Sequence, residues 1–343
     1  MTNIFDDIFP GSGDEITTID SHTAGEYTRL IVEGVGPVAG QTMAEKLDTF
    51  KKDFDHIRLM LTREPRGHNG ILAALVTEPV SEDARFGLIY MDARRYPYLC
   101  GHATIGAVAT LAQTGALELN EGDNHVNIDT PSGTMTAKTV VSNGRVESIA
   151  ITMVPSFVFE TGRMIDVPGY GTISIDLVCT GGFFAMISSS DIGIDLVPEN
   201  NKRLIDLGMK IIDAANNQVT VYHPERPEVI TVDVAEFYDP AGHSELKGKN
   251  VVIYGESHLD RSPCGTGTAA KLTLLYHRKA LGENQVFTNF SPLNTSFESR
   301  IMHTTTVGDF DALVTEIKGS AHITGIHKFV LDPDDPFPKG FII

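Results

Sequence analysis

"CGHATIGAVATL", residues 100–111, and "CGTGTAAKLTLL", residues 264–275, share one pattern. Each opens CGxxT, continues with a small residue at Gly106 or Ala270, and sets aliphatics at Val108 and Leu272 and again at Leu111 and Leu275. The offset of 164 residues is close to half of the 343-residue chain. Repetition at that spacing points to two similar halves, each contributing one such segment. The length agrees, because it exceeds what a single hydrophobic core usually serves.

Both segments read as helix starts, with glycine and threonine ahead of helix formers whose apolar members recur at helical spacing. Helices are expected over roughly 43–53, 104–114, 201–216 and 268–280. The last has cations at His277, Arg278 and Lys279, which suit the negative end of a helix dipole, and then Gly282. Strands are expected at "HIRLMLT" (56–62), "RFGLIYM" (85–91), "HVNIDT" (125–130), "RVESIAITMV" (145–154), "VITVDV" (229–234) and "NVVIYGE" (250–256). Many strands with one long helix per half give an α+β architecture in which each sheet wraps around a central helix. The boundary falls near "SNGRVES" (142–148) or a few residues later, dividing the chain into 1–150 and 151–325, with the tail not placed by pattern.

Composition narrows the function. Twenty-seven Lys and Arg against 45 Asp and Glu leave a formal net charge of −18, which disfavours nucleic acid and anionic membranes and favours a small-molecule ligand. The start, "MTNIFDDIFPGSGDEI", carries acids where a signal peptide needs a positive region, and no run of about 20 apolar residues offers a membrane span, so a cytoplasmic protein is expected. Three cysteines make a poor disulfide framework. Cys179, within the apolar run "SIDLVCTGGFFAMI" (174–187), reads as core.

Cys100 and Cys264 are different, because a helix N-terminus presents free N–H groups and the positive end of a dipole. That setting can lower a thiol from about 8.5 to about 3.5–7.5. Gly101 and Gly265 leave the same amides open to a substrate carboxylate. Two such helices facing each other across a cleft would place an acid and a base on opposite faces of one small carboxylate, an arrangement suited to inverting a Cα centre. His102 and Asp260 are the nearest polar candidates, Asp260 for a substrate ammonium. Two other chemistries fit less well. "GTGTAA" from Gly265 matches a loose dinucleotide fingerprint, yet "NVVIYGE" stops about eight residues short of it and no strand ending in an acid follows. Cys100, His102 and Cys264 do not make a recognisable zinc pattern.

The segments "MDARRYPYLCGHATIG" and "DRSPCGTGTAAK" resemble the two signature segments of the proline racemase family. "IDSHTAGEYTR" (19–29), "EPRGH" (64–68), "GGFFA" (181–185), "GSAHITG" (319–325) and the final "DPDDPFPKGF" extend the resemblance over nearly the whole chain. The resemblance implies a diaminopimelate-epimerase-like fold of two pseudo-symmetric domains, with the tail from about 326 to 343 returning to the first. It implies a homodimer and cofactor-independent racemisation or epimerisation of proline or 4-hydroxyproline, with no metal. Cys100 and Cys264 fall on the catalytic pair, Gly101, His102, Gly265 and Thr266 on the carboxylate-binding segments, and Asp260 on the residue that meets the amine. Relatives that dehydrate trans-3-hydroxyproline usually carry threonine at the second position, so Cys264 favours inversion; racemisation of another amino acid is a further reading. Tyr27, Leu99 and the run "ARRYPY" (93–98) depart from the family pattern and are expected to flank the pocket.

Overall fold

The computed structural model describes residues 15–241 and 243–343; the acidic stretch 1–14 that argued against a signal peptide lies outside the described residues. The first half contains β1 (Ile16–Thr23), β2 (Glu26–Glu33), β3 (Ala73–Thr77), β4 (Ala84–Met91), β5 (Gly122–Thr130), β6 (Gly133–Ser142) and β7 (Arg145–Thr152). The second runs through β8 (Ser156–Val167), β9 (Gly171–Thr180), β10 (Gly182–Ser188), β11 (Val232–Asp239), β12 (Lys247–Tyr254), β13 (His258–Leu259), β14 (Phe287–Phe290), β15 (Ser296–Val307) and β16 (Phe310–Gly319), and β17 (Ala321–Phe329) follows. Among the described residues, five helices of two or more turns accompany them: α1 (Met43–Asp53), α2 (Asp55–Thr62), α3 (Gly101–Gln113), α4 (Asn201–Gln218) and α5 (Gly265–His277).

Strand pairing repeats itself. From β17 through β1, β2, β3, β4, β5 and β6 to β7, successive neighbours are antiparallel, antiparallel, parallel, antiparallel, parallel, antiparallel and antiparallel. From β8 through β9, β10, β11, β12, β14 and β15 to β16 the same succession recurs. Parallel neighbours need a crossover, and helices occupy the equivalent crossovers: α1 and α2 correspond to α4, and α3 to α5. β16 pairs with both β7 and β8, and so ties the two series into one sheet. β17 returns to β1, and beyond it Phe341 bridges Glu64.

Both central helices are buried around their whole circumference, the mark of a helix enclosed by sheet. Every residue of α3 from Gly101 to Leu111 and of α5 from Gly265 to Leu275 is buried. α3 packs on β1, β2, β7 and β17, and α5 on β8, β9, β15 and β16. One core cluster joins them and contains both Cys100 and Cys264. Cys179 lies in a separate cluster with Phe157 and Phe183, as expected of a core thiol.

Two local expectations change. "HIRLMLT" is not a strand but most of α2, because Ile57, Met60 and Leu61 recur at helical spacing and bury one face, a period that seven residues barely reveal. α3 and α5 begin directly after their cysteines, three residues earlier than expected at each site. "SNGRVES" is the β6–β7 hairpin, with Asn143 and Gly144 at φ 52° and 70°, and the first pairing series runs on a few residues beyond it to the end of β7.

The helices meet end to end through glycine. A Cβ on Gly101 would lie 3.0 Å from the Gly265 Cα, and one on Gly265 would lie 3.0 Å from the Gly101 Cα. Gly101→Ala therefore forces the helix starts apart, with an overpacking cost of about 1–3 kcal/mol. An unfolding free energy lower by that amount is expected from urea denaturation; an unchanged value would contradict the contact.

Candidate active site

Cys100 and Cys264 are the N-cap residues of α3 and α5. Their backbones differ. Cys100 is extended at φ −145°, whereas Cys264 sits at φ 57°, a left-handed conformation that costs a non-glycine residue free energy and tends to occur at functional positions. The Gly267 N–H donates to Cys264 Sγ at 3.3 Å, and the Cys264 N–H donates to Ser262 Oγ at 3.0 Å. Cys100 Sγ lies 3.3 Å from His102 Nδ1, and Cys264 Sγ 3.4 Å from Thr266 Oγ1.

Both thiols open on one small cavity of about 50 Å³. All seven residues singled out in the sequence line it: Cys100, Gly101, His102, Asp260, Cys264, Gly265 and Thr266. Its apolar wall consists of Leu72, Pro97, Leu99, Phe184, Val234 and Val252, with Tyr254 and Arg95 as further polar members. Of the departures from the family pattern, Leu99 and the Arg95–Pro97 segment do flank the pocket. Tyr27 does not, because its hydroxyl turns away to donate to Asp20, which also holds the Arg29 guanidinium. At the rim, Arg95 joins the halves by an ion pair of 2.6 Å to Asp233.

Burial dominates the electrostatics. It pushes both thiols well above their ordinary value, outweighing the amides of Ala103 and His102 at Cys100 and the contacts to Thr266 and Gly267 at Cys264. The expected lowering of the thiols is therefore overturned, since desolvation of a fully enclosed thiolate exceeds what one helix terminus returns. Burial likewise lowers His102 to about 4, so a neutral imidazole faces Cys100. Asp260 Oδ1 accepts from the Ser262 N–H and hydroxyl, each at 2.8 Å, while Oδ2 has no hydrogen-bond partner among the described residues. Burial raises Asp260 to about 7. A buried carboxyl with one open oxygen is suited to receiving an ammonium. The described residues contain no group of three or more His, Cys, Asp or Glu able to hold a metal ion, and none of their helices is long and apolar enough to cross a membrane.

A group the sequence reading missed supports the Asp260 segment. Glu26, fully buried at the β1–β2 turn, reaches across to the second half. Its Oε1 lies 2.7 Å from His258 Nε2 and accepts from the Tyr254 hydroxyl at 3.3 Å, while Oε2 accepts from the Arg261 N–H at 2.7 Å. The partners bracket Asp260 on both sides. Despite desolvation, which alone would raise it, His258 and its neighbours hold Glu26 down at about 2.

The sequence profile of the family described as "Proline racemase" matches residues 18–342. A proline racemase of Clostridioides difficile is 40% identical over 96% of this chain and 98% of its own. A 4-hydroxyproline 2-epimerase of Streptosporangium roseum is 36% identical over 95% and 97%. Among solved structures, a hydroxyproline epimerase from Agrobacterium vitis with bound trans-4-hydroxy-L-proline superposes with a TM-score of 0.91 at 28% identity, covering 96% of this chain and 95% of that one.

The Glu26 bracket gives a pH signature. Its carboxyl lies below the ordinary value in the fold, so its stabilisation is complete above the unfolded value of about 4.5 and is lost as pH falls towards about 2. Glu26→Gln is expected to cost about 3 kcal/mol of unfolding free energy at pH 7, with the difference from the parent vanishing near pH 2. Chemical denaturation across that range checks it; a pH-independent difference would refute the assignment.

Proposed function

The chain belongs to the proline racemase family, and from that premise we propose that it inverts proline at Cα by a cofactor-free, two-base mechanism in which Cys100 and Cys264 work from opposite faces. The observation that carries this reading is the meeting of two N-cap thiols, from two helices in glycine contact, in one cavity. The substrate carboxylate is received at the helix starts by Gly101, His102, Gly265 and Thr266, where backbone donors and helix dipoles favour an anion. The amine faces Asp260 Oδ2, the unpartnered oxygen.

One cysteine is a thiolate and the other a thiol when substrate binds. The thiolate takes the Cα proton, the electron pair passes into the carboxylate, and the donors around that carboxylate stabilise the charge. The opposite thiol returns a proton to the other face. The balance is one proton taken and one given, which leaves the pair exchanged and ready for the mirror-image substrate. The elevated thiol values suit the task, because a thiolate desolvated in an apolar pocket is the stronger base.

The fold reading goes with it. The doubled pairing succession supports two pseudo-symmetric domains close to the expected 1–150 with about 326–343 and 151–325, the chain passing to the second after β7 and returning to the first with β17, and each domain wrapped around its own helix in the diaminopimelate-epimerase-like manner. Such symmetry serves a reaction whose forward and reverse directions are near mirror images.

The apolar wall favours proline over 4-hydroxyproline. A ring hydroxyl placed among Leu72, Leu99, Phe184, Val234 and Val252 has few hydrogen-bond partners, and an imperfectly satisfied buried hydroxyl costs about 1–3 kcal/mol. A kcat/KM for L-proline about 10–100-fold above that for trans-4-hydroxy-L-proline is expected, measured by chiral chromatography; equal values would remove the preference. Cys100→Ser and Cys264→Ser are each expected to abolish racemisation, and turnover at the parent rate in either would sink the two-base proposal. In deuterated water, the product gains deuterium at Cα without loss of water. An imine product from trans-3-hydroxy-L-proline would instead indicate dehydration.

A further inference from the structure

The first turns of α3 and α5 match in course but not in what stands behind them. Behind α3, the Tyr90 hydroxyl and Thr104 Oγ1 are hydrogen-bonded at 2.7 Å, and the helix presents Ala103 and Ala107. In the same places α5 has Gly267 and Lys271, and the space holds Glu236 of β11, Asn250 of β12 and Asn289 of β14, all fully buried. Glu236 Oε1 accepts from Asn250 Nδ2 at 2.9 Å, whereas Oε2 has no hydrogen-bond partner among the described residues. That oxygen rests on Gly267, where a Cβ would lie 2.5 Å from it. The N–H of Gly267 is the one that donates to Cys264 Sγ.

We propose that Glu236 is a positioning residue whose carboxylate, seated behind the first turn of α5, holds the proton on Cys264 and makes the two thiols unequal. The proposal rests on the reading of Cys100 and Cys264 as the working pair. A negative charge beside that turn opposes the formation of a second one on the sulfur. The mutual approach requires glycine at 267, because any side chain there would displace the carboxyl.

The surrounding charges agree. From α5, Lys271 faces Glu236, with its Nζ tied to Lys249 O at 3.1 Å and Asn289 Oδ1 at 2.8 Å and with Asp239 acting on it in turn. From the segment before α5 come Asp260 and Cys264 itself. β12 contributes the neutral Asn250 and Val252, and β10 sets Met186 beside Glu236. Burial raises Glu236 to about 7 despite Lys271 and Asn250, so its charge develops across neutrality. Asp260 titrates in the same range but bears on both thiols. Glu26 bears on Cys100, yet with a value of about 2 it is charged throughout. Glu236 is therefore the titrating carboxyl seated against the turn that meets Cys264 Sγ, with no carboxyl in the matching place behind α3.

The test is site-resolved alkylation of the full-length, ligand-free protein with iodoacetamide, followed by mass spectrometry from pH 6 to pH 9. It reads thiol ionisation and not turnover, so it is decided separately from the racemase reading. As pH rises through 7, the ratio of Cys264 to Cys100 alkylation is expected to fall about tenfold in the parent, the order expected for a nearby like charge inside a protein. In Glu236→Gln the ratio stays flat: Cys264 reacts at the parent rate at pH 6 and about tenfold faster at pH 9, with Cys100 unchanged. A flat ratio in the parent would overturn the proposal, as would a substitution that alters both thiols or alters Cys264 equally at every pH. Should that variant fail to fold, Gly267→Ala, whose Cβ displaces the carboxyl, is read in its place: a ratio that stays flat supports the proposal, and a fall like the parent's overturns it.

Discussion

The contact between Gly101 and Gly265 constrains everything around it. Two helix N-termini repel each other through like dipole ends and unsatisfied N–H groups. Here they abut so closely that neither position has room for a methyl group. The arrangement holds because each helix is enclosed by its own strands and one continuous core runs between them. Its consequence is a small volume with a surplus of backbone donors, bounded on two sides by thiols. A carboxylate supplies what that volume lacks.

Enclosure has a cost that shapes the chemistry. The apolar wall and the Arg95–Asp233 bridge at the rim keep the thiols from water, and the same desolvation raises them instead of lowering them. A helix terminus at the surface would yield an acidic, weakly basic thiolate. Inside the cleft it yields fewer thiolates of greater basicity, which suits removal of a proton from carbon. Glu26 keeps Asp260 in place against this background by spending its full charge on His258, Tyr254 and Arg261, which flank that aspartate. Symmetry of the strands does not extend to the polar groups behind the helices, where Tyr90 serves one half and the Glu236 network the other.

Much of the site was legible because its chemistry is local. A cysteine followed at once by glycine and a helical run announces an N-cap whatever the tertiary setting, and Cys100, Gly101, His102, Cys264, Gly265, Thr266 and Asp260 all line the cavity. Glu26 was not legible, since in "AGEY" it reads as an ordinary turn acid, and only folding brings His258 and Arg261 to it. Glu236 left a fainter trace. In "VDVAEFYD" it alternates with Val234 and Tyr238 on the face that joins the central core, and an acid in such a row is a signal that pattern reading can weigh. "HIRLMLT" misled because a short apolar run carries too few residues to separate a helical period from a strand.

The sequence by itself determined that two matched helix starts exist, that each carries a thiol and a glycine, and that the fold is a strand-rich α+β arrangement, because these follow from spacing and backbone preference within a dozen residues. Tertiary structure alone decided how near the two starts come, which apolar residues close over them, and where the protons reside. Those depend on distance and burial across the two halves, as Gly101 against Gly265 and Glu26 against His258 show. No local run of residues encodes the dielectric that its partners will create.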